Sequence, residues 1–97
     1  MAMHNPPHPG EFIRSVYLEP FGLSARSLSV NLAVSASTLN RIITGKSGIS
    51  PEMALRLSKA LGRSAESWLA LQGNFDLWQA KQNVKLEEVR HIEFAAT

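Results

Sequence analysis

Apolar residues recur at helical spacing through most of the chain, and turn-forming residues divide the pattern into five segments. Two short segments lie in the middle, between Leu23 and Lys46. In the first of them, Leu28 and Leu32 are four residues apart and therefore share one face of a helix. The apolar stripe of the second consists of Leu39, Ile42 and Ile43. Two short amphipathic helices are therefore predicted side by side in the sequence.

Serine residues stand at the predicted starts of both short helices. Ser24 and Ser35 occupy the N-cap positions, where a side-chain oxygen accepts a hydrogen bond from a free backbone N–H. About four residues, 32–35, join the two helices, and Val34 is expected to fill the angle between them. A connection of this length predicts a helix-turn-helix over about residues 24–44.

The segment before the helix-turn-helix predicts a helix that starts at Pro9 or Gly10 and ends before Pro20. Its apolar positions are Phe12, Ile13, Val16, Tyr17 and Leu18. Residues 1–9 are rich in proline, which biases each preceding residue away from helix. We therefore expect them to form an extended N-terminal arm.

Two further helices are predicted after the helix-turn-helix. Ser50 and Pro51 open the first as N-cap and first helical residue. Its core stripe is expected to comprise Met53, Leu57, Ala60 and Leu61. The longest helix of the chain is expected from Ala65 to about Asn83. Its large apolar residues follow a seam-like period of three and four, namely Trp68, Leu71, Phe75 and Trp78.

The pattern as a whole predicts an all-α fold with a single domain over residues 10–83 and a C-terminal tail over residues 84–97. A chain of 97 residues with 44% hydrophobic content suits one compact domain. In the tail, the apolar residues Val89, Ile92 and Phe94 either add a short strand or pack against the domain. The sequence does not decide between these two arrangements.

Composition excludes several classes of protein. The chain has no cysteine, so disulfides and thiolate chemistry are excluded. Its apolar runs are far shorter than the roughly 20 residues that span a bilayer. The first ten residues lack the basic region and apolar core of a signal peptide. We therefore expect a cytoplasmic protein with no membrane partner.

Charge is distributed unevenly, although the net charge is only +2. Between Ser24 and Arg63, six basic residues accompany a single acid, Glu52. From Ser64 onward, three basic residues accompany five acids. A basic block centred on a helix-turn-helix is typical of a surface that binds a polyanion. The alternative is an ordinary globular surface on which the charges cluster by chance.

The outward face of the second helix of the helix-turn-helix carries polar and cationic side chains. Arg41 can contact guanine O6 and N7, and Asn40 adenine N6 and N7, each pair discriminating by about 1–3 kcal/mol. The predicted DNA-binding residues are Ser35, Ser37, Thr38, Asn40, Arg41, Thr44, Lys46 and Ser47. Lys46 and Ser47 are expected at the phosphate backbone, and Ser35 is expected to act chiefly as a cap. The alternative is a solvated helix face without a ligand.

The apolar stripe of the longest helix has two interpretations, a core beneath the helix-turn-helix or a core shared with a second copy. A single helix-turn-helix reads few base pairs, so such proteins usually bind as symmetric dimers to half-sites about one helical turn apart. We expect this stripe to be partly core and partly dimer interface. The residues of the expected interface are Trp68, Leu71, Phe75 and Trp78.

Nothing in the sequence indicates an enzyme. His4, His8 and His91 do not have the spacing of metal ligands, and the HExxH and GxSxG motifs are absent. Glu87 and Glu88 are adjacent and therefore point to different sides of any helix or strand. The sequence predicts no catalytic residue, no metal site and no cofactor.

The helix-turn-helix resembles that of the Cro/C1-type (XRE) repressors. The matching positions are Leu28, Leu32, Val34-Ser35, Thr38-Leu39, Arg41-Ile42 and Gly45-Lys46. Two positions depart from the pattern, because Ala25 stands where the family often has Gln and Ala33 where it often has Gly. A left-handed backbone costs a residue with a Cβ atom roughly 1 kcal/mol. We therefore expect the turn at Ala33 to be kept in a slightly altered form.

Over residues 8–80 the chain resembles the HigA-type antitoxins. The resemblance rests on HPGEFIRSVYLEPFGLS, the helix-turn-helix, SGISPEMALRLSKALGRSAESWLALQ and NFDLW. It implies a compact five-helix, lambda-repressor-like homodimer that binds the palindromic operator of its own operon. It also implies a protein partner, a small HigB-type toxin that cleaves mRNA and that the antitoxin neutralises. Antitoxins of this family are not themselves enzymes.

Two other functions stay open at this point. One is a phage-like transcriptional repressor that has no toxin partner. The other is a protein-interaction adaptor that keeps the helix-turn-helix only as a scaffold and does not bind DNA. Titration with DNA separates the adaptor from the other two functions, because only the adaptor would show no salt-dependent binding.

Overall fold

The computed structural model describes residues 5–95, which form five α-helices and contain no strand. The helices are α1 (Pro9–Ile13), α2 (Ala25–Leu32), α3 (Ala36–Ile43), α4 (Pro51–Leu61) and α5 (Ala65–Asn83). This confirms the all-α prediction and the long C-terminal helix. No helix in the described part of the chain is long and apolar enough to cross a membrane. His4 and the rest of residues 1–4 of the predicted arm, with residues 96–97 of the tail, lie outside the described residues.

Each helix from α2 onward begins at a serine N-cap, which confirms the caps predicted at Ser24, Ser35 and Ser50. The serine oxygen accepts a hydrogen bond from the backbone N–H three residues further along the chain. The four caps are Ser24, Ser35, Ser50 and Ser64. Helix α1 has a different cap, because Nδ1 of His8 accepts a hydrogen bond from the N–H of Gly10 at 2.9 Å. The start of every helix is therefore fixed by a side chain next to it in sequence.

A π-helical segment, Arg14–Leu18, continues α1 and changes its buried face. The N–H of Glu19 donates to the carbonyl oxygen of Arg14, five residues earlier, at 2.9 Å. The wider turn brings Tyr17 and Leu18 toward the core and moves Val16 outward, where 39% of its surface is exposed. Val16, one of the apolar positions of the predicted helix, therefore lies outside the core.

The core lies beneath the helix-turn-helix and is closed by α5. Its fully buried side chains include Ile13, Leu39, Leu57 and Trp68. Trp68 has no exposed surface, so it belongs to the core of a single chain and not to the dimer interface in which the sequence analysis placed it. On α4, Ala54 is buried whereas Ala60, predicted for the core, is exposed.

The chain has no regular secondary structure from residue 84 to residue 95. The apolar side chains of this segment are exposed, and Phe94 is 79% exposed. Val89 and Ile92 are similarly open to solvent. Within residues 84–95 the tail therefore forms neither the strand nor the packed segment that the sequence left open.

Candidate nucleic-acid interface

Helix α3 turns one side into the core and the other side outward. Leu39 and Ile42 are buried, and Ile43 is half-buried beside them. The exposed side carries Ala36, Ser37, Thr38, Asn40, Arg41 and Thr44. A helix about two turns long with a polar, cationic outer face has the dimensions and chemistry to enter the major groove of DNA.

The C-terminal end of α3 closes in a Schellman motif. Gly45 takes a left-handed conformation with φ 81°, and its N–H donates to the carbonyl oxygen of Ile42 at 3.0 Å. The N–H groups of Lys46 and Ser47 both donate to the carbonyl oxygen of Arg41, at 2.8 Å and 3.1 Å. These two amides are therefore used within the motif, and only the side chains of Lys46 and Ser47 are available to a ligand.

The polar side chains of α3 divide into those with partners in the chain and those without. The Oγ of Ser35 accepts from the N–H of Thr38 at 3.0 Å and donates to the Thr38 hydroxyl at 2.8 Å. The hydroxyl of Thr44 donates to the carbonyl oxygen of Asn40 at 2.8 Å. The side chains of Asn40 and Arg41, in contrast, make no hydrogen bond with any residue from 5 to 95. Within the described part of the chain, the donors and acceptors of these two side chains are therefore unused.

The turn between α2 and α3 is built on an alanine in a left-handed conformation. Ala33 has φ 58° and ψ 41°, and it is the only described residue other than glycine with positive φ. Its N–H donates to the carbonyl oxygen of Val30, and the N–H of Val34 donates to that of Ser29, both at 3.1 Å. The turn therefore keeps its left-handed closure without glycine, at a cost of roughly 1 kcal/mol.

Arg56 of α4 reaches across to this turn, a contact that sequence reasoning missed. Its Nη1 donates to the carbonyl oxygens of Leu32 at 2.9 Å and Ala33 at 3.2 Å. The carboxylate of Glu52, one turn earlier on α4, accepts from Nε at 3.2 Å and from Nη2 at 2.9 Å. Only the spacing of four between Glu52 and Arg56 was visible in the sequence, because the carbonyl partners lie 23 and 24 residues away.

Arg63 is half-buried, and its guanidinium also contacts other residues of the chain. Its guanidinium lies 5.0 Å from the ring centre of Phe12 and 5.6 Å from that of Trp68, within the range of cation–π contacts. Two of the six basic residues of the central block, Arg56 and Arg63, therefore use their guanidinium groups in contacts within the chain. The remaining four, all exposed, are Arg26, Arg41, Lys46 and Lys59.

Helix α5 holds the loop that follows α3. The Oε1 of Gln72 accepts a hydrogen bond from the N–H of Ile49 at 2.7 Å, and its Nε2 donates to Asp76 at 2.9 Å. Gly48 leaves room for this contact, since a Cβ atom there would lie 2.9 Å from the Gln72 amide. The loop that begins with Lys46 is thus fixed at both ends.

The outer half of α5 carries the other residues of the predicted dimer interface. Leu71, Phe75 and Trp78 are half-buried. The ring of Phe75 meets that of His8 edge-on at 4.9 Å and lies 6.3 Å from that of Trp78. Leu77 is 57% exposed. Leu71, Phe75 and Trp78 form a partly open apolar face, which we call the α5 face, and Leu77 lies at its edge, about 100° further round the helix from Trp78.

Comparison with known proteins identifies the family. The HTH_3 helix-turn-helix family model matches residues 16–68. Virulence-associated protein I of Dichelobacter nodosus is 46% identical over 76 residues, which cover 78% of this chain and 70% of that protein. The structure of antitoxin GraA superposes with a TM-score of 0.87 at 39% identity, covering 93% of this chain and 100% of that one.

A third relative has been solved together with DNA. The structure of Pseudomonas aeruginosa antitoxin HigA with the higBA promoter superposes with a TM-score of 0.76 at 40% identity, covering 79% of this chain and 84% of that one. Identity at this level over nearly the whole fold confirms the resemblance inferred from sequence motifs. The chain belongs to the helix-turn-helix family of HigA-type antitoxins.

Proposed function

We propose that this protein is a DNA-binding antitoxin that represses its own operon and neutralises a small HigB-type toxin encoded beside it. The observation that carries the DNA-binding part is the outer face of α3, where the side chains of Asn40 and Arg41 have no hydrogen-bond partner among residues 5–95. The relative solved with its promoter supports the same use of the fold. The toxin-neutralising part rests on membership of the antitoxin family.

In this proposal α3 enters the major groove as the recognition helix. Asn40 and Arg41 read base edges, while Lys46 and the other exposed cations of the central block contact phosphates and set the salt dependence. Two copies joined through the α5 face bind half-sites about 34–36 Å apart, so the operator is palindromic. The dimer interface then uses the exposed parts of Leu71, Phe75 and Trp78, with Trp78's neighbour Leu77.

The DNA-binding part is tested by titrating labelled upstream DNA and a shuffled duplex at several salt concentrations, with fluorescence anisotropy as the readout. We expect tighter binding to the upstream DNA and an affinity that falls as salt rises. Arg41→Ala should weaken operator binding about tenfold or more and reduce the preference over shuffled DNA, because one bidentate contact is worth about 1–3 kcal/mol.

Arg90→Ala is the matched control, since it removes an exposed arginine from the tail. It should leave the preference for upstream DNA unchanged. Equal affinity of the wild-type protein for upstream and shuffled DNA would refute sequence-specific binding. Wild-type affinity and preference in Arg41→Ala would refute the assignment of α3 as the recognition helix.

The toxin-neutralising part is tested by expressing the small neighbouring open reading frame with and without this protein. Growth arrest with mRNA loss that co-expression reverses would establish the antitoxin. A harmless neighbour would leave a plain transcriptional repressor, provided that the DNA titration succeeds. Neutralisation of the toxin without any DNA binding would instead identify an adaptor.

A further inference from the structure

The joint between α2 and α3 depends on a residue outside both helices. The last carbonyl groups of any α-helix lack partners within the helix. At the end of α2, those of Ser29 and Val30 accept the two hydrogen bonds of the left-handed turn. The carbonyl oxygens of Leu32 and Ala33 accept from Nη1 of Arg56. Arg56 therefore supplies the partner that the turn itself cannot provide.

Four hydrogen bonds fix the orientation of the Arg56 guanidinium. Glu52 binds one edge of its planar fork through Nε and Nη2, which leaves Nη1 directed at the turn. The side chain is only 36% exposed, so solvent covers it in part. Lysine has the same charge but a single donor centre, and it cannot bind Glu52 and both carbonyl groups in this geometry.

We infer that Arg56 is a positioning residue for the recognition helix, and that it fixes where α3 begins with respect to α4. Ala33 lies two residues before the Ser35 cap, so a shift of the turn moves the whole of α3. The turn contains an alanine in a left-handed conformation, which its own backbone disfavours. The hydrogen bonds from Arg56 therefore stabilise a turn whose own backbone conformation is unfavourable.

This inference rests on the proposed function for its DNA readout, and the first test uses Arg56→Lys. Charge is retained, so binding to shuffled DNA and its salt dependence should not change. The preference for operator DNA should fall about tenfold, equivalent to the loss of one well-placed base contact. Arg90→Lys, the same change at an exposed arginine of the tail, is the control and should keep the wild-type preference.

A second readout needs no DNA and separates positioning from phosphate contact. Amide hydrogen exchange of Val34, whose N–H closes the turn, should be faster in Arg56→Lys than in the wild-type protein. Exchange within the second half of α5 should stay unchanged. If Arg56→Lys folds incompletely, exchange at Val34 is measured in the double variant Arg56→Lys/Ala33→Gly instead. Glycine adopts the left-handed turn without strain.

Wild-type operator preference together with wild-type exchange at Val34 in Arg56→Lys would overturn the inference. Arg56 would then contribute only its positive charge to the protein surface. Faster exchange at Val34 with reduced operator preference supports it. If the wild-type protein itself does not prefer operator DNA, the proposed function fails, and the exchange measurement still decides whether Arg56 holds the turn.

Discussion

Gly10 of α1 lies directly against the backbone of Ile42 in α3, so closely that a Cβ atom added to Gly10 would stand 1.9 Å from the Ile42 carbonyl oxygen. No side chain fits between these two helices at this point. The first helix therefore supports the recognition helix from behind, backbone against backbone. The position of α3 is set from this side as well as from the turn that Arg56 holds.

Replacing Gly10 with alanine should push α1 away from α3. Atoms inserted into a packed contact of this kind typically lower the free energy of unfolding by about 1–3 kcal/mol. Gly73→Ala is the matched control, because nothing lies within 4 Å of its added Cβ atom and alanine favours the middle of a helix by roughly 1 kcal/mol. Urea unfolding should show opposite shifts, and equal stability of both variants would contradict the close approach.

Replacing Gln72 with methionine should destabilise the loop that follows α3. The N–H of Ile49, a buried residue, would lose its acceptor, and an unsatisfied buried amide costs about 1–3 kcal/mol. The same change at the exposed Gln79 should be nearly neutral. Hydrogen exchange at Ile49 should be faster in Gln72→Met only, and wild-type exchange there would argue against the contact.

Replacing Ser35 with alanine tests the start of the recognition helix. The N-cap bond to Thr38 would be lost, and the free energy of unfolding should fall by about 1 kcal/mol. This corresponds to a decrease of roughly 4–8 °C in Tm for a domain of this size. Ser37→Ala, two residues further along the chain, should change the stability by less than about 0.5 kcal/mol.

The same pair separates folding from DNA binding. In the proposed complex Ser37 faces the DNA, so Ser37→Ala should weaken operator binding while its Tm stays near the wild-type value. A wild-type Tm for Ser35→Ala would show that the cap does not stabilise α3. Unchanged operator affinity for Ser37→Ala would remove that residue from the interface.

The parts of this fold that sequence predicts are those fixed by neighbours along the chain. Serine caps involve residues three positions apart, so those at Ser24, Ser35 and Ser50 were identified, as were the bounds of α5. The π-helical segment was missed because one additional residue in a turn leaves no trace in the apolar pattern. The exposure of Val16 could therefore not be predicted from the apolar pattern.

Contacts between distant residues could not be predicted. Arg56 and Arg63 belong to a basic block that resembles a DNA-binding surface, and only the structure shows that their guanidinium groups contact a turn and an aromatic pair. Trp68 and Trp78 follow the same period on α5, yet only Trp68 is enclosed. Burial at these positions depends on where α1 packs against α5, and the periodicity of α5 alone does not predict this.

Replacing Leu77 with glutamate tests the proposed dimer at the α5 face. Leu77 is 57% exposed in the single chain, so the change should leave the fold intact. A charge buried in an apolar interface is strongly unfavourable, and dimers should therefore dissociate at micromolar concentration. Sedimentation velocity should show a dimer for the wild-type protein and a monomer for Leu77→Glu.

Val30→Glu is the control for the dimer test, because Val30 is 73% exposed on α2, outside the α5 face. It should sediment as the wild-type protein does. Operator affinity should fall for Leu77→Glu far more than affinity for a single half-site, since only the dimer binds both half-sites together. A dimeric Leu77→Glu variant with wild-type operator affinity would place the contact between copies elsewhere on the molecule.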